Sequence, residues 1–419
     1  MLNNLRILVY SNNPISTSGS NGRTIRNLLL KFPKSCVHNF FIHGENLSFD
    51  SCESFYCVSD NDVLHPIRSK KRSHILNYAA SEPNNTSNAT KRKRSAFVSL
   101  IRNFIWKLGF WKTKEYKKWV LDYKPDVVLI QAGDSPFLCD EARKIATQQR
   151  SKLVVFNTEA YCFFDWDFLG MRKHKTLFSE MFRHLMCKSI KKVTLDAALT
   201  VYLTDELQET YQLKFGDHNS AVIYNSSEQS KVKWNYESKK VIYAGNFLND
   251  RVSSLITIAK LLNEIDETYT IHVYSTITPE LIEKTKTLRN IVLHGFIPYD
   301  TVIKELKDAF LLIHFESFTE IASKNAKYAF STKIADYLSL NIPFLLYSPK
   351  NVTVSNYLIS NNCAMVASSE DELRVHLGGL ISNKEYAAEY LKNAMQIVNN
   401  NHLSEHNSFK FYSLVKKLF

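Results

Sequence analysis

The sequence predicts an α/β protein built from two doubly wound, mostly parallel sheets. Three observations predict it. Short runs rich in Val, Ile, Leu and Tyr recur along the whole chain, segments of helical spacing separate them, and 419 residues exceed the roughly 250–300 that one hydrophobic core usually serves. A composition of 45% hydrophobic and 22% charged residues is that of a chain able to bury such cores.

Six apolar runs mark strands in the first half: Leu5 to Tyr10, His38 to Ile42, Asp126 to Gln131, Leu153 to Asn157, Ala198 to Leu203 and Ala221 to Tyr224. Six more follow: Lys240 to Ala244, Thr270 to Tyr274, Ile291 to His294, Phe310 to His314, Pro343 to Tyr347 and Ala364 to Ala367. Near-continuous apolar strands belong to sheets covered on both faces. The polar stretch from Asn225 to Ser238 reads as a hinge linker, dividing residues 1–225 from residues 226–403. In the tail, 404–419, Phe409, Tyr412, Val415 and Leu418 are spaced as a helical stripe that would cross back onto the first domain.

The amino-terminal apolar run ends at Ser11 without a signal-peptide pattern, and no stretch approaches the roughly 20 residues of a spanning helix. Seven scattered cysteines without CxxC spacing suit reduced thiols packed as small apolar residues, and they argue against a zinc site. Cytoplasmic residence is the resulting expectation. The net charge of +12 is confined to one segment, because residues 68–118 hold fourteen Lys or Arg against Glu82 and Glu115, and the remainder of the chain sums to zero.

Three segments carry anion-binding chemistry. After the first strand, a loop of small residues containing Gly19 and Gly22 leads into a helix starting near Arg23; such a loop lets backbone N–H groups approach an anion, or simply makes a turn. The second domain opens with a strand, Gly245, and Arg251 six residues later, ahead of an amphipathic helix. A guanidinium there can pair with phosphate oxygens or serve only as a surface cation. Further on, Ser331 and Thr332 sit at a predicted helix N-terminus, where unpaired N–H groups and the helix dipole favour a phosphate. Lys333 adds a cation, and Asp336, one turn in, can accept from the two hydroxyls of a ribose. Ser331 would equally act as a plain N-cap.

From Lys240 to Pro349 the chain resembles the retaining GT4-type glycosyltransferases of bacterial surface polysaccharides, and more loosely before that. It shares the strand and Gly245, the Gly295 turn, and the run from Ser331 through Lys333 and Asp336 to Pro349. The resemblance implies a GT-B architecture, with two Rossmann-like domains facing across a cleft and the donor held by the second. It implies transfer of a sugar, with retention, from a nucleotide-sugar donor to a polysaccharide or lipid-linked glycan, with no metal or other cofactor. Gly245, Arg251, Ser331, Thr332, Lys333 and Asp336 then contact the donor, joined by Gly19 and Gly22. Asn246 replaces the family's Arg, Asp336 its Glu, and Tyr328 occupies the place of the Glu that contacts the transferred sugar. Glu316 and Glu320 are the substitutes nearby, Glu320 being favoured. Glu159, with Asp165 and Asp167 behind it, stands where the family has a His facing the cleft, and at a strand's C-terminal end it would act as a base or orient the acceptor, or equally serve only as a helix N-terminal acid. Asn246, Tyr328 and the missing His also motivate a non-catalytic partner in polysaccharide assembly, and a nucleotide-sugar epimerase shares the fold.

Residues 91–119 interleave cations with aromatics, and Arg94, Phe104, Trp106, Trp111 and Lys118 are candidates for a surface that meets an anionic membrane or a lipid-linked acceptor. The aromatics would otherwise be core. Nucleic-acid binding is not expected, as no recognised motif accompanies the basic run.

Overall fold

The computed structural model describes residues 4–17, 19–44, 47–65, 73–76, 95–163, 176–230, 232–248 and 250–419. Among them the chain forms two compact units, Met1–Tyr224 with Asn407–Phe419, and Asn225–His406.

The first unit holds eight strands: β1 (Ile7–Ser11), β2 (Val37–Phe41), β3 (Ser54–Cys57), β4 (Ile75–Leu76), β5 (Val127–Ala132), β6 (Lys152–Asn157), β7 (Leu199–Tyr202) and β8 (Ser220–Val222). Their order is β4-β3-β2-β1-β5-β6-β7-β8, and every pairing is parallel except β3 with β4. All residues of β1 and β5 are buried, as central strands covered on both faces require. The sequence runs anticipated the other six strands and missed β3 and β4, which lie at one edge. Successive strands move outward from β1 in both directions, so the strand order reverses between β1 and β5.

The second unit repeats the plan with β9 (Lys240–Ala244), β10 (Thr270–Tyr274), β11 (Ile291–Leu293), β12 (Leu311–Phe315), β13 (Phe344–Tyr347) and β14 (Met365–Ala367) in the order β11-β10-β9-β12-β13-β14, all parallel. Here the reversal falls between β9 and β12. The core under this sheet gathers Val241, Tyr243, Leu255, Ile258, Ile271 and Ile313. Gly295 follows β11 with φ +85°, a conformation that glycine adopts without the steric cost of a Cβ.

The stretch read as a hinge linker is packed into the second unit. Trp234 Nε1 donates to the Phe310 carbonyl (2.8 Å), and Tyr236 Oη donates to that of Ile381 (2.7 Å). Asn225, at its start, is buried and hands its carbonyl to His402 Nδ1 (2.7 Å), while Tyr357 Oη lies 2.8 Å from His402 Nε2. The terminal helix Ser404–Lys416 sets Phe411 and Val415 into the core of the first unit, with Phe411 and Tyr412 against Phe32 and Ser408 Oγ donating to the Leu28 carbonyl (3.2 Å). Phe409, expected in that stripe, is 60% exposed, because the face that turns inward is set by Ser408, Phe411 and Val415.

Burial holds the imidazole of His402 down at about 4, so the folded chain keeps it neutral while an unfolded one takes up a proton near pH 6.5. Stability present above about 6.5 is therefore lost as pH falls towards 4, by about 3 kcal/mol from this residue over the whole window. Urea unfolding at a series of pH values should show that slope and should show it reduced in His402→Gln.

Candidate functional site

In the second unit the residues of interest collect at the C-terminal edge of the sheet, where β9 and β12 end side by side. Open parallel sheets form their ligand crevices at this position. Gly245 directly follows β9, and a Cβ there would lie 2.4 Å from Tyr243 Oη, which donates to the Asn246 carbonyl (2.7 Å). The loop then places Arg251 at the start of helix Val252–Ile265, and Glu316 leaves β12 opposite it.

These two side chains form a fork. Arg251 Nε donates to Glu316 Oε2 (2.8 Å) and Nη2 to Oε1 (2.7 Å), with the pair 15% and 8% exposed. Arg251 Nη1 donates to Asn246 Oδ1 (3.1 Å), which helps orient the guanidinium. A guanidinium has five N–H donors; these bonds occupy three of its N–H directions and leave others for an anion. Burial alone would raise the Glu316 carboxyl. His314 Nε2 at 3.3 Å from Oε1 and the Arg251 charge outweigh it and hold the group down at about 2. Burial lowers His314 itself, and the charges of Arg251 and Lys333 lower it further, against the raising effect of Glu316.

Lys333 is thus close enough for its charge to act on this cluster. Its helix, Thr332–Ser339, is capped by Ser331, whose Oγ accepts from Lys333 N (3.3 Å). Two further contacts anchor the helix, one to the end of β9, where Ala244 N donates to Tyr337 Oη (3.0 Å), and one to helix Tyr299–Leu306, where Tyr299 Oη donates to Asp336 Oδ1 (2.9 Å). Asp336, expected as an accessible ribose acceptor, is 4% exposed. Glu320 is the exposed first residue of helix Glu320–Ala326, paired with Lys324 (3.2 Å). Tyr299 is the addition that sequence spacing did not single out, and Glu316, read as a candidate contact to the donor sugar, is instead the partner of Arg251.

In the first unit, the reversal between β1 and β5 has its own cluster. Asn12, just past β1, donates through Nδ2 to Asp134 Oδ1 (2.8 Å) beyond β5, while its Oδ1 is buried without a hydrogen-bond partner among the described residues. Past β6, Glu159 keeps some contact with solvent but is enclosed by protein, and desolvation pushes its carboxyl up to about 7. Burial, then the charges of Glu159 and Asp134, push the Tyr161 phenol well up, so it stays a hydrogen-bond donor at neutral pH. Asp165 and Asp167 lie outside the described residues. Gly22, in the first turn of helix Ser20–Leu29, has a packing reason: a Cβ there would meet the Pro14 carbonyl at 2.3 Å. Gly19 is the residue before that helix, with φ −86°.

The basic aromatic segment differs from its sequence reading. Trp106 and Trp111 are core residues, 2% and 3% exposed. Trp106 stacks on Phe137 (centroids 4.4 Å) and donates to Asp60 Oδ1 (2.8 Å), and Trp111 donates to the Trp106 carbonyl (3.0 Å). An indole with its N–H satisfied inside is more stable there than at the surface. Phe104 and Lys118 are exposed, and Arg94 lies outside the described residues. Among the described residues no group of three or more His, Cys, Asp or Glu is placed to hold a metal ion, and no helix is long and apolar enough to cross a membrane.

No family model matches the chain, and no curated protein does. Solved structures do match it. Anabaena HepE in complex with UDP-glucose superposes over 98% of this chain and 99% of its own, at a TM-score of 0.63 and 10% identity. A lipopolysaccharide outer core galactosyltransferase, WaaB, matches 94% of this chain and 99% of its own at 0.52 and 12% identity. The chain has the GT-B fold. S. aureus TarM, solved with UDP, matches 69% of the chain at 0.50 and 15% identity, and the chain spans 55% of TarM's length. The likeness extends to a putative UDP-N-acetylglucosamine 2-epimerase from Listeria monocytogenes (0.55, 13% identity, 98% and 96% covered).

Taking away one partner of a buried ion pair strands the other. Arg251→Met should cost about 3–5 kcal/mol in chemical denaturation, and Arg251→Met with Glu316→Leu should recover most of that loss, since an apolar pair of similar volume replaces a buried charge pair at little cost.

Proposed function

We propose that the protein is a glycosyltransferase that moves a sugar from a nucleotide-sugar donor to a hydroxyl of a polysaccharide or lipid-linked glycan, with retention at the anomeric carbon. The observation that carries this reading is the convergence of two segments some eighty residues apart, Gly245–Arg251 and Ser331–Asp336, at the strand-order reversal of the second sheet. There Arg251, held by Glu316, and Lys333 at a capped helix N-terminus supply the positive charge that a diphosphate leaving group needs, and they do so without a metal. Helix N-terminal N–H groups bind the phosphate in this reading, and the half-buried Tyr299 with its partner, the buried Asp336, is the proposed contact to the ribose. Glu159, with a carboxyl near 7, suits an acid-base role towards the acceptor, and Tyr161 can donate to it. Glu320 is the carboxylate proposed to contact the transferred sugar. The fold likeness to structures solved with UDP and UDP-glucose supports a uridine nucleotide.

The epimerase-like match favours one second reading, conversion of a free nucleotide sugar to its isomer. Incubation with the donor alone separates the two, because an epimerase yields a second nucleotide sugar and a transferase yields only slow release of free sugar and nucleoside diphosphate.

A ligand that binds only the folded chain raises its melting temperature as its concentration increases. In a thermal-shift series with UDP, GDP, ADP and CMP sugars, one class should stabilise the native chain. Lys333→Ala and Asp336→Ala should each lose most of the shift, and EDTA should leave it unchanged. No shift at millimolar ligand would instead favour a non-catalytic partner. With donor and acceptor identified, the rate should rise through about pH 7 if Glu159 acts as a base, and Glu159→Gln should lower kcat by about 10²–10⁴ and abolish that titration.

A further inference from the structure

Helix Ala96–Leu108 turns a partly polar face to the protein and an apolar one to solvent. Ser99, Asn103 and Trp106 are buried, whereas Phe97, Ile101, Phe104 and Leu108, on the opposite face, are exposed, Phe104 by 64%. The surface continues onto helix Leu177–Asp196, whose Phe178 ring packs against Phe97 (centroids 5.0 Å) beside an exposed Met181. Single exposed apolar side chains are ordinary, but a face of them spanning two helices marks an interaction surface.

Charge identifies what covers it. The cations within the helix are taken up internally, Arg102 by Asp60 (2.7 Å) and Lys107 by Asp140 (2.6 Å). The chain directly before N-cap Ser95 reads Lys91, Arg92, Lys93, Arg94, and Lys114, Lys117 and Lys118 on the following helix are exposed. With fourteen cations against two acids between residues 68 and 118, this segment accounts for the whole net charge. A second copy docking face to face would bring two such segments together, and like charges inside a Debye length of about 8 Å repel. An anionic bilayer offers both complements, hydrocarbon for the aromatic and aliphatic side chains and negative headgroups for the cations.

We infer that this two-helix face seats the protein on an anionic membrane surface. The seat is built from Phe97, Ile101, Phe104 and Leu108 with Phe178 and Met181, and not from the buried Trp106 and Trp111. It does not depend on the glycosyl-transfer reading, and binding can be read without turnover. The full chain is sedimented with vesicles of phosphatidylcholine alone and of phosphatidylcholine with about a third phosphatidylglycerol. The native chain should co-sediment with the anionic vesicles only, and less so as salt rises. Phe104→Glu should lower the partition by about tenfold or more with an unchanged melting temperature, since the side chain is exposed. Replacing Lys114, Lys117 and Lys118 by Gln should weaken binding and flatten its salt dependence. Failure of the native chain to bind anionic vesicles, or undiminished binding by Phe104→Glu, would overturn the inference. So would a dimer in vesicle-free solution that Phe104→Glu dissociates, because a second copy would then occupy the face.

Discussion

Parallel strands cannot be joined by hairpins; each crossover must pass over a face of the sheet, and when crossovers leave a central strand in both directions the two sets of loops diverge. β1 and β9 are those central strands here. Open parallel sheets form their ligand crevices at such openings, which here lie beside β5 and β12. Asn12 and Asp134 flank the first, and Gly245, Arg251 and Glu316 flank the second. The remaining architecture keeps the strand ends in place, from the buried aliphatic strands to the terminal helix that packs on the first unit.

The two openings differ in electrostatic character. In the second unit, burial, a charged partner and a neighbouring imidazole act on one carboxylate, and the opposite charge prevails, so Glu316 stays ionised and Arg251 stays oriented. In the first unit no counter-charge to Glu159 is found among the described residues, and burial pushes its carboxyl up to about 7. A fixed cation suits a leaving group that is always charged, and a carboxyl poised near 7 suits a group that must exchange a proton. The same physics, loss of water, yields a permanent charge in one place and a titrating one in the other, according to whether a counter-charge is supplied.

Stability and interaction are traded in helix Ala96–Leu108. Its apolar residues occupy nearly the whole circumference, and the core accommodates the side with Trp106, whose ring stacks on Phe137 and whose N–H finds Asp60. Phe97, Ile101 and Phe104 have no equivalent pocket and stay outside. Hydrophobic periodicity identified the helix, but its more apolar face is the one left outside, because the core received the side that carries Trp106.

Local chemistry made much of this protein legible in the sequence. Apolar runs located twelve of the fourteen strands found among the described residues, because a doubly covered strand is continuous in hydrophobicity; β3 and β4, short and at a sheet edge, lack that signature. Ser331 as a cap and Gly245 as a close turn follow from residue type and position alone. What only the tertiary structure decided are the pairings across long separations: Arg251 with Glu316, sixty-five residues apart, and Tyr299 with Asp336, thirty-seven apart. Neither has any local signal, since a carboxylate's partner depends on which strand ends the crossovers bring together. The inward turn of Trp106 and the packing of Trp234 into the second unit were decided in the same way, by which side of each segment the finished core could fill.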